Sequence, residues 1–369
     1  MQGIYITQDL THADGINEKI YKQIESFKQA GIDVEMRANP RRTLLTLVHN
    51  LIPFFSKQYF NTDVDWQNQD FVYIRKGAVL DKSVLNLVKK VKLINPKIKV
   101  ILEMPTYPYL DEFPWFIKWD IWLKEKLVTP KLKKYIDCIV TYSDDSEIFG
   151  VPCLNISNAY DFNQVPHYSE NEEDAIHLIA VASLTFYHGY DRVIEGMKNY
   201  YQSGQTSQEV KFTLIGDGPV LDGYRKLVEK YQLTDKISLV GRKKQSELAP
   251  YFAQADIGVD SLGRHRSGVV YNSSLKGKEY LAKGLPIVSG VKTDLDNRDF
   301  PYYFRVPADD TPLDIPEIIV FYRAVSENKG KQEIATEIFE YGKKYFSFNR
   351  TFSPVIDYIK ENECSKLLL

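Results

Sequence analysis

The sequence predicts an α/β protein of two doubly wound parallel-sheet domains in tandem. Three observations lead there. Short apolar runs alternate with helical segments along the chain, the pattern of parallel sheets covered on both faces. The alternation breaks once, at the polar, acidic, Pro-containing stretch "NAYDFNQVPHYSENEED", and then resumes. The length, 369 residues, exceeds one ordinary core and fits two.

The elements follow in order. "GIYIT" reads as the first strand. "DGINEKIYKQIESFKQAG" reads as a helix, with Ile16, Ile20, Ile24 and Phe27 on one face and Gly31 as its stop. "IDVEM", "FVYIR", "KVILEM", "CIVTYS" and "CLNIS" are the remaining strands of the first half. In the second half "IHLIAVAS", "VKFTLIG", "KISLVG", "DIGVDSL" and "PIVSG" are strands. Between them "YDRVIEGMKNYY", "VLDGYRKLVEKYQL", "SELAPYFAQA" and "LKGKEYLAKG" are helices. The expected division is a first domain over 1–165, a second over 166–345, and a closing helix over 346–369 that packs back on the first domain. Paired sheets of this kind are expected to face a central cleft at the carboxyl ends of their strands, where ligands bind.

Composition excludes several classes. Hydrophobic content of 44% and charge of 26% are those of a soluble globular protein. A net charge of −2 gives no global pull toward nucleic acid. Cys138, Cys153 and Cys364 are odd in number and scattered, so neither a disulfide framework nor a thiolate zinc site is expected. "MQGIYITQDL" lacks the regions of a signal peptide, and no run reaches the ~18–20 apolar residues of a span. The expected location is cytoplasmic.

The chemistry-bearing residues gather in loops after the second-domain strands. These loops offer His188, Arg242, Lys243, Lys244, Arg264, His265, Arg266, Lys276 and Lys278 on one sheet edge. A local basic edge in a near-neutral protein suits an anion, and phosphate is the commonest. Lys243 and Lys244 read better as solvated charges. Ser273 or Ser274 is the expected N-cap of the helix that follows, whose start adds free N–H groups. Glu279 lies about one and a half turns into that helix. A carboxylate there would repel phosphate but accept hydrogen bonds from vicinal hydroxyls. The plainer alternative pairs it with Lys276 or Lys283. A bound NAD or FAD is disfavoured: "GDGPVL" has Gly216 and Gly218 but Leu221 where a third small residue belongs.

Together "SLTFYHGYDRVI", "FTLIGDGP", "ISLVGRKKQSELAPYFAQADIGV" and "SLKGKEYLAKGLPIV" resemble the retaining GT-B glycosyltransferases of family four, in their order and near their spacing. "EMPTYPY" and "VTYSDDSEIFGVPCLNISNAYD" resemble a bacterial polysaccharide and glycoprotein subgroup. The resemblance implies two Rossmann-like domains and transfer from a nucleoside-diphosphate sugar, a UDP-sugar by preference. The acceptor it implies is a glycan, lipid-linked or glycoprotein acceptor. No metal and no resident cofactor are implied.

By resemblance Glu279 holds the donor ribose, and Arg266, Lys276 and His188 join it as the catalytic set. Gly15, Ser183, Gly216, Gly218, Arg242, Arg264, Tyr271, Asn272, Ser273, Ser274 and Leu275 complete the donor site. Glu103 and Tyr107 fall on the acceptor side. Two positions depart from the pattern. The family's first glutamate falls eight positions before Glu279, at Tyr271, and a diphosphate-binding arginine position falls at Ser183. These departures support the rival reading, a catalytically inactive GT-B-like partner subunit that binds glycan or protein.

Two stretches mix aromatic and basic residues: 41–60, "RRTLLTLVHNLIPFFSKQYF", and 114–136, which carries Trp115, Trp119 and Trp122 at helical spacing. They fit an anionic membrane interface. For the tryptophans, packing into the first-domain core is the reading preferred from sequence.

Overall fold

The computed structural model describes residues 1–7, 14–39, 60, 63–77, 79–163, 166, 175–296 and 298–364. Residues 41–59 of the first aromatic–basic stretch lie outside them. The chain forms two compact units: Met1–Ser157 with Phe348–Leu369, and Asn158–Ser347.

The first unit holds a seven-stranded sheet in the order β2-β1-β3-β4-β5-β7-β6. Its strands are β1 (Gln2–Thr7), β2 (Asp33–Ala38), β3 (Phe71–Arg75), β4 (Lys99–Met104), β5 (Cys138–Thr141), β6 (Glu147–Ile148) and β7 (Val151–Asn155). Neighbours pair in parallel except β6 with β7. That short hairpin was not expected: two residues carry too little pattern to be read as a strand. β4 and β5 are buried nearly throughout, as parallel strands covered on both faces must be. The Asp14–Gln29 helix buries Ile20, Ile24 and Phe27 against this sheet. Gly15 sits in its first turn, not in the preceding loop where a ligand-facing glycine was expected.

The C-terminal segment divides at Ser347, whose ψ of 152° ends the Lys331–Phe346 helix. The Phe348–Cys364 helix then packs on Asp14–Gln29, with Phe352 edge-on to Phe27 at 5.1 Å.

The second unit has a fully parallel six-stranded sheet, β10-β9-β8-β11-β12-β13. The strands are β8 (Ala175–Val181), β9 (Glu209–Ile215), β10 (Ile237–Gly241), β11 (Ile257–Val259), β12 (Ile287–Ser289) and β13 (Tyr303–Arg305). β13 and the helices Ile315–Ser326 and Lys331–Phe346 were not read from the sequence, although Asp314 caps the former and Pro316 opens it. The division between units falls after Ser157, ahead of the expected residue 165. Asn158 is held in the second unit by its N–H to Ser273 Oγ (2.8 Å), and Phe162 by its ring against Phe339 (5.6 Å).

The tryptophans correct the core reading. The Trp115–Leu132 helix buries Ile121, Val128 and Leu132, while Trp115, Trp119 and Trp122 are 76, 65 and 38% exposed. Periodicity gives a shared face but not which side it takes. Trp66 is the tryptophan in the core.

Candidate functional site

The loops that leave the second-unit strands lock together through backbone. Leu184 N–H donates to Asp217 O (2.8 Å), Gly216 N–H to Gly241 O (2.9 Å), and Leu262 N–H to His188 O (2.8 Å). Glycine is required at these crossings. Gly216 has φ 144°, and a Cβ there would stand 1.8 Å from Ala182 O. At Gly218 it would stand 2.0 Å from Leu184 O. Both were expected to approach a ligand; their steric duty is to let the loops after β8 and β9 meet.

The Leu275–Ala282 helix begins at this frame. Ser274 is its N-cap: Oγ accepts from Gly277 N–H (3.3 Å) and donates to Asp260 Oδ1 (2.9 Å). Ser273 faces elsewhere, donating from Oγ to Asp294 Oδ2 (2.6 Å). Lys278 is buried against Asp294 and the Phe346 ring, so it leaves the expected basic edge and becomes part of the core.

Lys276 stays at the edge, partly exposed, its Nζ 4.0 Å from Asp260 Oδ1. Burial lowers its pKa, with Asp260 acting the other way and Arg264 adding to the lowering. Arg264 is buried and lies over the Tyr187 ring at 4.6 Å. Both cations act on His188. Burial first, then Lys276 and Arg264, push the His188 pKa down to about 2. Thr185 N–H donates to His188 Nδ1 (3.1 Å), which leaves the ring proton on Nε2. His188 is therefore a neutral donor rather than one of the edge's charges, as the sequence had counted it.

Glu279 is half-committed. Its Oε1 accepts from Tyr160 Oη (3.1 Å) and from Gln245 Nε2 (2.9 Å). Among the described residues nothing bonds to Oε2, and neither Lys276 nor Lys283 forms an ion pair with it. The carboxylate is thus held by one oxygen and presents the other. Asp260, Tyr160 and Gln245 were missed as site residues. Asp260, at the end of "DIGVD", could have been found as an acid at a strand's carboxyl end. Tyr160 lies 119 residues from Glu279 and gave no spacing signal.

Arg266 corrects a second expectation. It forks onto Asp191 (2.9 and 2.7 Å), and also donates to Asp310 (2.7 Å) and to Phe186 O (3.0 Å). These hydrogen bonds, those to Asp191 foremost, hold its pKa above the ordinary value. Its role here is to tie loops together, because its donors are taken by internal acceptors. Ser183, Arg242 and Leu275 are exposed on the same unit. Tyr271 forms a parallel bridge with Lys292, and Asn272 N–H donates to Lys292 O (2.9 Å). Among the described residues no group of three His, Cys, Asp or Glu side chains converges as a metal site would need.

In the first unit, Glu103 is fully enclosed and saturated. Tyr73 Oη (2.8 Å) and Gln23 Nε2 (3.2 Å) donate to Oε2; Tyr142 Oη (3.1 Å) and Arg75 donate to Oε1, with Lys19 Nζ at 3.9 Å. Burial raises its pKa, but Arg75, Lys19 and the hydrogen bonds outweigh that and bring it below the usual value. It holds the fold together and has no oxygen left for an acceptor. Tyr107, the other acceptor-side residue, packs edge-on to Phe149 at 5.9 Å.

Known proteins agree with this architecture. The family model described as "Glycosyl transferases group 1" matches residues 163–270. The alpha-monoglucosyldiacylglycerol synthase of Acholeplasma laidlawii is 25% identical over 164 residues, 42% of this chain and 39% of that protein's length. A glycosyltransferase from Rickettsia africae superposes with a TM-score of 0.67 at 12% identity, covering 98% of both chains. Anabaena HepE, solved with UDP and glucose, gives 0.60 at 12% identity over 98% of this chain and 100% of its own. The chain has the GT-B fold and resembles the glycosyltransferases of family four.

Proposed function

We propose that the chain is a retaining glycosyltransferase. It moves a sugar from a UDP-sugar to a glycan, lipid-linked or glycoprotein acceptor in bacterial surface polysaccharide (capsule or exopolysaccharide) or glycoprotein assembly. The second unit takes the donor and the first the acceptor. The observation that carries this reading is Glu279, with Oε1 fixed by Tyr160 and Gln245 and Oε2 open to ribose hydroxyls. The ligands named with Anabaena HepE favour UDP as the carrier.

In this reading Lys276, with Arg264 behind it, meets the diphosphate as charge develops on it. The helix N–H groups after Ser274 and the His188 Nε2–H add preorganised donors. The anomeric carbon–oxygen bond breaks toward the diphosphate, and the acceptor hydroxyl attacks from the same face. Its proton passes to the departing phosphate oxygen. Lys276 and Arg264 supply the positive charge, so no metal is required. Turnover is expected to survive EDTA.

The experiment is calorimetric titration with UDP, followed by incubation with a panel of UDP-sugars and NMR of the product anomer. UDP binding that weakens in Glu279→Ala, and a product with the donor's anomeric configuration, are expected. Absence of both UDP binding and donor hydrolysis would instead make the chain a non-catalytic partner subunit.

A further inference from the structure

We infer, on the reading of Glu279 as the ribose acid, that Tyr160 is a positioning residue that couples nucleotide binding to the chain crossing between the units. The chain enters the second unit at Asn158 and leaves it after Ser347. The two passages lie side by side: Tyr160 forms a parallel bridge with Ser347, and its N–H donates to Phe346 O (3.1 Å). The side chain of the same residue turns to the site. Its Oη donates to Glu279 Oε1 (3.1 Å) and accepts from Gln245 Nε2 (3.3 Å). One residue thus holds the crossing by its backbone and the ribose acid by its phenol.

The Leu275–Ala282 helix takes part in this link along its length. Ser273, just before it, receives the N–H of Asn158 on Oγ (2.8 Å) and the Asn158 side-chain amide on its carbonyl. Lys278 Nζ lies 4.0 Å from the centre of the Phe346 ring. Ser273, Lys278 and Glu279 therefore engage the two passages, while Ser274 and Lys276 face Asp260. A ribose hydroxyl donating to Glu279 Oε2 restricts the carboxylate. A restricted carboxylate keeps Oε1 on the Tyr160 phenol for more of the time. Ordering the Tyr160 backbone then costs less, so its hydrogen bond to Phe346 opens less often. Linkage makes the effect mutual: what nucleotide does for the crossing, the phenol does for nucleotide affinity. Gln245 separates the two roles. It donates to the same Oε1 (2.9 Å), but its own carbonyl is spent within its turn, accepting from Leu248 N–H (3.3 Å).

The test is hydrogen–deuterium exchange of the full chain, with and without saturating UDP, read on peptides that contain the Tyr160 amide. In the parent, UDP should slow that amide about fivefold, the low end of ordinary coupling between sites. Tyr160→Phe should bind UDP about threefold more weakly, for the loss of one hydrogen bond. At saturating UDP it should show no slowing. Gln245→Ala should weaken UDP binding to a similar degree yet keep the slowing. Tyr160→Phe retains the ring that meets Phe162 edge-on at 6.4 Å, so its melting temperature should stay within about two degrees of the parent's. Slowing that persists in Tyr160→Phe would overturn the inference, as would a parent that binds UDP without slowing. Loss of the slowing in UDP-saturated Gln245→Ala would do the same. A parent that binds no UDP at all would overturn the nucleotide reading first and this coupling with it, and the titration alone tells that failure from the others.

Discussion

Two glutamates of this chain, one in each unit, show how differently the same side chain can be used. Glu103 is enclosed by Tyr73, Gln23, Tyr142, Arg75 and Lys19, and both oxygens are taken. Glu279 has one oxygen held by Tyr160 and Gln245 and one open. Saturation, rather than burial or position near a sheet edge, separates an acid that maintains a fold from one that can meet a ligand. A buried carboxylate without partners would be costly; a partly exposed one with a spare oxygen is held at little cost and ready to bind.

The sharpest way to break this contrast is at Glu103. Glu103→Ala leaves Arg75 buried without its counter-charge and should destabilise the first unit by about 3–5 kcal/mol. Urea unfolding reads it, and an unchanged midpoint would mean the cluster does not hold the fold. Next in size, Lys276→Ala should slow transfer about 100-fold, as loss of one preorganised charge-stabilising donor does. Its unfolding midpoint should barely move, because its nearest carboxylate partner stands 4.0 Å away.

His188 gives a third, pH-dependent test. Its folded pKa of about 2 lies below the unfolded value near 6.5. The unfolded chain thus takes up a proton that the folded one refuses. Stability is full above pH 6.5 and falls as pH drops toward 2, by about 2 kcal/mol at pH 5. His188→Asn should flatten that slope in thermal melts taken from pH 7 to 5; an unaltered slope would mean the ring titrates normally. Smallest of all, Glu279→Ala should weaken UDP binding about tenfold, the value of one or two hydrogen bonds to a charged group. Its melting temperature should stay within about a degree or two of the parent's. A large drop there, matching that of Glu103→Ala, would erase the distinction between the two acids.

The sheets were legible because parallel strands buried on both faces, such as "FVYIR" and "CIVTYS", leave unbroken apolar runs. An N-cap at Ser273 or Ser274 was legible too, since serine ahead of a helical stretch has a local meaning, but the choice of Ser274 was not. Pairing at a distance was not. Arg266 looks like a free phosphate ligand until Asp191 and Asp310, 75 and 44 residues away, are brought to it. Glu103 looks available until residues from β3, from the turn after β5 and from the first helix close over it. Lys278 and Lys276, two positions apart, read alike in sequence, yet the helix turns one into the core toward Asp294 and leaves the other at the edge.

The glycine crossings at Gly216 and Gly218 bear on how such a protein can diverge. Where backbone touches backbone, a larger residue or an extra one disturbs both strands of the crossing at once, so these loop lengths are hard to vary. Variation falls more easily on outward side chains such as Ser183, Arg242 and Leu275, which are exposed. A lineage with this frame would keep its loops nearly constant in length while those positions drift.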